Sequence, residues 1–574
     1  MMLFKYLCGF SVAFALISFV LCPVHADPKM ICYSVQPNAY LNDHAKEIAE
    51  IYDGFYFPIG QWDDGAERLL GTRGNPPADS SWMEKVEENI KSLSEAGASE
   101  NFLTVSFGSE APWPSSETLL SKEYTQRFAD CFSAVGHCAK ELGFRGVCID
   151  TEYPYPRYQL DHEIYKYEQY TAEDLMEAAM QQGRISMGAV LDAFSDAVII
   201  LLPGELRTRP IERQYQLGLL EVMAERDAPG GLHVGTEFTY CLHDPVTIAA
   251  TTRFEDCGLQ LIARTLQVAS YWKRYCTMAP GVWPLHMVET ESSLYPVRPW
   301  KEEVAELREE MAILRTLSKR YIWSYTGNPV WYIHTPEIEA KYGLAKQNLK
   351  RDDIDLRDWH AVLKEKTPPA TPGLEKIVEK VRSFDADRIT SEELCDAFGT
   401  PGRWWSLGML SNPHTEPAFA AVSAATGPID PQIPIHGRDG VVRWFAFDSL
   451  DPRGQTNCRY LFDWFHTDRS SAQFVTYLHS EKEHEAILHT GWDDGIVIRL
   501  GDTVVFDQAT YPQRGHGMLY RDRYLFEKHV PIVIPKGKTR LSVTSINSHG
   551  VWIYSLRITD KDNIPFEDVQ FRLE

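Results

Sequence analysis

The sequence predicts an α/β chain, a (β/α)8 TIM barrel followed by an all-β sandwich domain. Three observations carry this expectation. From Ile31 to about Ile333, eight short apolar runs alternate with longer segments of helical periodicity. No glycine-rich phosphate loop follows the first run, which sets aside a doubly wound open sheet. From about Gly402 the texture changes to short alternating runs broken by turns, as expected of two packed antiparallel sheets.

The eight runs are Ile31–Val35, Gly54–Ile59, Phe102–Phe107, Gly146–Asp150, Ala197–Leu202, His233–Phe238, Val282–Val288 and Tyr321–Ser324. Several are continuously apolar and β-branched, because a parallel barrel strand is buried on both faces. Helical patterns with charged faces lie between them, such as Trp82–Ala96, Tyr124–Leu142 and Trp300–Arg320. The stretch Lys364–Gly373 is polar and proline-rich and reads as a linker, followed by a short helical piece at Leu374–Arg382. In the second domain the candidate strands are Val441–Phe447, Gln473–Leu478, Gly495–Leu500, Ile532–Ile534, Arg540–Val543 and Val551–Ile558. The expected units are thus residues 1–26, 27–363 for the barrel, 364–401 for the connection and 402–574 for the sandwich.

With 574 residues the chain is too long for one core. A net charge of −23 argues against nucleic acid and anionic membrane surfaces as partners. Lys5, an apolar stretch from about Phe10 to Leu21, and small Ala26 before Asp27 read as a secretory signal peptide cut after Ala26. The expected destination is therefore outside the cytoplasm, secreted or periplasmic, with no membrane association beyond the export signal. Nine of eleven cysteines remain after such a cut, and an odd number leaves at least one thiol unpaired. Cys32 and Cys148 lie in strand-like runs and read as small buried hydrophobes. No spacing resembles a structural zinc site, no cofactor motif is present, and the oligomeric state is not legible.

The most informative stretch is Phe144–Pro156. Gly146-Val147-Cys148-Ile149 is a buried-strand run that ends in Asp150 and Glu152, then in Tyr153, Pro154, Tyr155 and Pro156. Side chains alternate along a strand, so Asp150 and Glu152 are expected to point the same way, at the barrel end where active sites sit. Two close carboxylates do not both ionise freely, and one keeps a proton for general-acid work. Other strand ends supply Glu205, Glu237 with Tyr240, His243 and Asp244, Glu289, and the aromatic set Trp323, Tyr325, Trp331 and Tyr332; Trp113 follows the third strand. Carboxylates and aromatic faces gathered on one rim suit carbohydrate chemistry. Each has a structural alternative: an ion pair for Glu237, a helix N-terminal role for Glu205 and Glu289, core filling for Trp323, loop anchoring for Trp113, turn chemistry for Asp493-Asp494. His233 is expected to pack or hydrogen-bond, and His243-Asp244 is too thin for a metal site.

Arg145-Gly146-Val147-Cys148-Ile149-Asp150-Thr151-Glu152-Tyr153-Pro154 resembles the strand-four signature of family 18 glycoside hydrolases, the chitinase-like enzymes. The resemblance implies Glu152 as general acid and Asp150 as the residue that steadies the substrate. Arg145 and Cys148 stand where that family has its first two aspartates, and Thr151 where it has Trp, so the implication is a barrel glycosidase rather than a chitinase. In the wider superfamily of retaining barrel glycosidases the acid follows strand four and the nucleophile strand seven, which would be Glu152 and Glu289. Gly491-Trp492-Asp493-Asp494-Gly495, the Gly501-Asp502 turn, Pro535-Lys536-Gly537-Lys538 and the run Val551–Asp560 resemble galactose-binding-like β-sandwich modules appended to carbohydrate enzymes. That resemblance implies bracing of the barrel, or sugar binding.

The reading is a secreted glycoside hydrolase acting on a poly- or oligosaccharide. Its catalytic candidates are Glu152 and Asp150, with Glu237 before Glu289 as the second carboxylate; its sugar-contact candidates are Trp323, Tyr153, Tyr240, Tyr325, Trp331 and Trp113. Two rivals stand beside it: a non-catalytic polysaccharide-binding or scaffold protein, and a polysaccharide lyase using Tyr240 and Arg157.

Overall fold

The structure is a computed structural model. It describes residues 27–33, 35–59, 80–106, 120–151, 171–202, 210–237, 239–240, 244–253, 267–283, 299–325, 332, 335–346, 349, 351–411, 429–462, 466–509, 526, 528–550 and 552–574. Eight parallel strands close into a barrel in sequence order. They are β1 (Lys29–Cys32), β2 (Gly54–Pro58), β3 (Phe102–Ser106), β4 (Gly146–Asp150), β5 (Val198–Leu202), β6 (Leu232–Thr236), β7 (Thr277–Val282) and β8 (Tyr321–Ser324).

Period-two alternation divides these strands between two cores. Val105, Val147, Ile149, Ile199, Leu201 and Ile322 face outward and pack with the surrounding helices. Ile31, Tyr56, Phe102, Cys148, Ile200 and Tyr321 face inward and fill the barrel. Cys32 and Cys148 are fully buried, as their strand positions suggested. At the strands' N-terminal end, His233 packs edge-on against Tyr321 and meets Thr277 Oγ1 at 2.8 Å, while the Tyr321 hydroxyl donates to Glu100 at 2.7 Å. His233 is thus a structural residue, and it closes the floor of the barrel.

One barrel strand departs from expectation. The seventh is Thr277–Val282, not Val282–Val288. Pro280 and Gly281 are unusual residues for a central strand, yet packing requires the glycine. A Cβ on Gly281 would lie 2.6 Å from the Tyr240 ring and 2.7 Å from the Trp323 indole. The apolar run after it, which falls at 284–288, lies outside the described residues.

The proline-rich connection is pinned rather than free. Lys366 pairs with Asp27 and the Thr371 hydroxyl donates to Glu309. The helices Leu374–Asp385 and Ser391–Ala397 then bury Leu374, Ile377, Val381, Phe384 and Leu394 in the same apolar cluster as the barrel's outer layer. An amphipathic helix with such a stripe needs a partner surface, and the barrel supplies it.

The C-terminal region is built of antiparallel sheets. Its strands are β9 (Arg403–Ser411), β10 (Ile435–His436), β11 (Val441–Val442), β12 (Phe445–Asp448), β13 (Gln455–Asn457), β14 (Ser470–Ser480) and β15 (His484–Trp492). They continue with β16 (Gly495–Leu500), β17 (Thr503–Gln508), β18 (Lys528–Ile534), β19 (Gly537–Asn547), β20 (Ile553–Thr559) and β21 (Val569–Arg572). β10 and β11 form a two-stranded sheet; of the two larger sheets, one runs β12-β9-β14-β19-β16-β17 with β21 on β14, and the other runs β13-β20-β15-β18. Trp404, Phe474, Leu488, Trp492, Val543, Trp552 and Tyr554 fill the space between them. The run Val441–Phe447 is two strands, not one, and β9, β10, β13, β15, β17 and β21 had no counterpart in the expected set. Gly491 and Trp492 end a strand; the turn itself is Asp493-Asp494. Asp494 adopts φ 65° and its carboxylate accepts from the Ser548 amide at 2.6 Å, so this pair is turn chemistry.

Candidate active site

Asp150 is the last residue of β4 and is 1% exposed. Two residues after inward-facing Cys148, it points into the barrel at the C-terminal end of the sheet. Its Oδ2 accepts the Tyr33 hydroxyl at 2.6 Å. Tyr33 follows β1 directly and stands two residues after inward-facing Ile31, so the same alternation brings it inside. The backbone N–H and hydroxyl of Thr151 both donate to the Leu202 carbonyl, fixing the chain where it leaves the strand. Burial, with the Asp150 charge added, pushes the Cys148 thiol well up, which keeps that neighbour neutral.

An aromatic wall stands on the other side of the barrel mouth. Tyr325 follows β8 and lies 5.5 Å from Tyr33 between ring centres; Trp283 follows β7 and lies 4.8 Å from Tyr325. Tyr240 packs between them, 5.6 Å from Trp283 and 5.4 Å from Trp323. Trp323 in turn lies 5.6 Å from Tyr33, completing a ring of contacts from four strand ends. Tyr240 reaches inward because the chain turns after β6: its amide donates to the Glu237 carbonyl, and Thr239 Oγ1 donates to the Gly281 carbonyl. Tyr240 and Trp323 are buried, whereas Trp283 and Tyr325 are part-exposed. The indole N–H of Trp323 is buried and has no partner among the described residues.

Of the residues the sequence nominated, the structure brings together Asp150, Tyr240, Trp323 and Tyr325. Glu237 stands one residue past β6, part-buried on the same rim. Glu152, Tyr153, Arg157, Glu205, Glu289, Trp113 and Trp331 lie outside the described residues. β7 ends at Val282, seven positions before Glu289 in the sequence. Tyr33 and Trp283 were missed. Tyr33 continues the inward series of β1, but nothing in the sequence marks its hydroxyl as a carboxylate's partner. Trp283 was hidden by the misplaced seventh strand. Asp244 caps the helix Pro245–Thr251 and pairs with Arg557 of the sandwich. Among the described residues, no group of three His, Cys, Asp or Glu is placed to hold a metal, and no helix is long and apolar enough to cross a membrane.

No protein-family model and no curated protein matches the chain. Among solved structures, it is similar to the exo-beta-1,4-mannosidase Op5Man5 from Opitutaceae bacterium strain TAV5, at 11% identity over 63% of this chain and 60% of that one, with a TM-score of 0.31. A GH18 chitinase from Pseudoalteromonas aurantia matches at 15% identity over 52% of this chain and 93% of its own, with a TM-score of 0.29. An old yellow enzyme from Pichia sp. AKU4542 matches at 10% identity over 51% and 78%, with a TM-score of 0.31. At these values such likenesses add nothing to what the barrel itself shows.

Proposed function

We propose that this chain is a glycoside hydrolase that works by carboxylate acid/base chemistry at the C-terminal rim of its barrel. The observation that carries the reading is the buried Asp150 carboxylate, oriented by Tyr33 at 2.6 Å and facing a wall of Tyr240, Trp283, Trp323 and Tyr325. Glu152, two residues along, is the general acid that protonates the leaving oxygen. An ionised Asp150 beside it makes a second negative charge costly, so Glu152 holds its proton. Glu237, from β6, is the first choice for the carboxylate that attacks the anomeric carbon or activates water, and Glu289 the second. Part-exposed Tyr325 and Trp283 offer faces to a sugar ring. The substrate is a poly- or oligosaccharide. Residues 1–26 direct export, and the sandwich braces the barrel.

The test is a panel of polysaccharides and aryl glycosides with the wild type, Glu152→Gln and Asp150→Asn. Sugar release that collapses by about a hundredfold or more in both variants supports the reading. Release untouched by either substitution moves the chemistry elsewhere, and binding without release returns the chain to the scaffold alternative.

A further inference from the structure

The sandwich meets the barrel at a buried charged contact that catalysis does not need. Arg557 on β20 is 3% exposed in its side chain, and its guanidinium lies 2.8 Å from Asp244 on the barrel. It also donates to Thr247 Oγ1 at 3.0 Å and to Asn563 Oδ1 at 2.7 Å, and Asn563 donates in turn to the other Asp244 oxygen. Asp244 is the N-cap of Pro245–Thr251, accepting the Thr247 amide at 2.8 Å. One carboxylate therefore both starts a barrel helix and receives the sandwich. The Phe526 ring lies 4.4 Å from the Arg557 guanidinium carbon.

Behind Arg557 stand two histidines. His489 on β15 and His529 on β18 face each other across adjacent strands, with Nδ1 to Nδ1 at 2.7 Å. The surrounding bonds favour one arrangement of the protons. The Thr559 hydroxyl donates to the Asp560 carbonyl at 2.8 Å, so its oxygen accepts from His489 Nε2 at 2.7 Å. Neutral His489 therefore has no proton on Nδ1, and His529 Nδ1–H must donate to it. A further proton on His489 Nδ1 would set two N–H groups against each other in a gap that holds one hydrogen bond.

We propose that the sandwich is docked on the barrel through a clasp at Asp244, and that the His489–His529 pair opens this clasp when it takes up protons. The charged groups facing the pair are Arg557 on β20, Lys528 on β18 and Asp244 on the barrel, two cations against one anion. Burial, then Arg557 and His529, push His489 down to about 3; burial, then Arg557, lowers His529 also. Both rings are thus favoured neutral in the docked state. Their stabilisation is present above the ordinary histidine value of about 6.5 and is lost as pH falls below it. Asp244 does not compete in this window. Burial raises its carboxyl, but Arg557 and the Thr247 hydrogen bonds outweigh that and hold it below the ordinary value.

The experiment is hydrogen exchange on the full chain from pH 7.5 to 5.0, reading protection of the amides in 244–251 with β4 amides as the internal reference. In the wild type, where two rings take up protons, protection at Thr247 should fall by more than about tenfold, towards about a hundredfold, for each pH unit below about 6.5 while β4 stays protected. In His489→Gln/His529→Gln it should stay flat. His529 lies at an exposed position, so His529→Gln alone keeps the test readable if the double variant does not fold, and its decline should be shallower than that of the wild type. Flat protection in the wild type overturns the proposal, as does a decline of equal slope in the wild type and the variants.

Discussion

The Tyr33 hydroxyl donates to the Asp150 carboxylate at 2.6 Å, tying the end of β1 to the end of β4 across the barrel mouth. A buried carboxylate deprived of one donor is left with part of its desolvation cost uncompensated. Tyr33→Phe should therefore cost about 1–3 kcal/mol in urea unfolding. Tyr56→Phe is the matched control. The Tyr56 hydroxyl is buried with no partner among the described residues, so its removal should be neutral or slightly stabilising.

Trp323 and Tyr325 share the aromatic wall but differ in burial, and this separates packing from substrate contact. Trp323→Ala should cost about 3–5 kcal/mol, because it empties the centre of the inner core. Tyr325→Ala should cost less in thermal unfolding and show itself mainly as a raised KM in sugar release.

Gly281→Ala tests the reason for the unexpected seventh strand. The added methyl meets Tyr240 and Trp323, both buried rings without room to retreat. Overpacking of this kind costs about 1–3 kcal/mol, and near-ultraviolet circular dichroism should report the displaced aromatics.

His233 should make the barrel acid-sensitive. Burial, then the Arg320 charge, hold its imidazole well below the ordinary histidine value. The unfolded chain takes up a proton there near pH 6.5 and the folded barrel does not, so stability falls as pH drops below that point. Unfolding free energy compared between pH 7.5 and 5.5 should decline less in His233→Gln than in the wild type, by about 1.4 kcal/mol over the whole interval.

Much of this fold was legible because burial on both faces writes itself into composition. Gly146–Asp150 and Tyr321–Ser324 were placed to the residue, since each is a continuous apolar run with a clear end. Thr277–Val282 was not, because Pro280 and Gly281 obey a packing demand set by Tyr240 and Trp323, residues distant in sequence. The sandwich strands His484–Trp492 and Thr503–Gln508 hold apolar cores of only three residues, Ala486–Leu488 and Val504–Phe506, bounded by polar residues without period-two alternation, and so merge with the surrounding turns. Asp150 was legible as a strand-end carboxylate. Its partner Tyr33 was not, because a tyrosine inside a strand looks the same in sequence whether its hydroxyl meets a carboxylate or nothing. The clasp at Asp244 was out of reach for the same reason: Arg557 and Asp244 are joined only by the docking of two domains.

The central claim is that Glu152 is a general acid set beside Asp150. It is tested by comparing two substrates of one sugar, one with a nitrophenyl leaving group and one with an unactivated sugar, on the wild type and Glu152→Gln. A good leaving group needs no proton. The account predicts that Glu152→Gln loses about a hundredfold or more of its rate on the unactivated glycoside and much less on the nitrophenyl one. Equal losses on both substrates, or none on either, would contradict it.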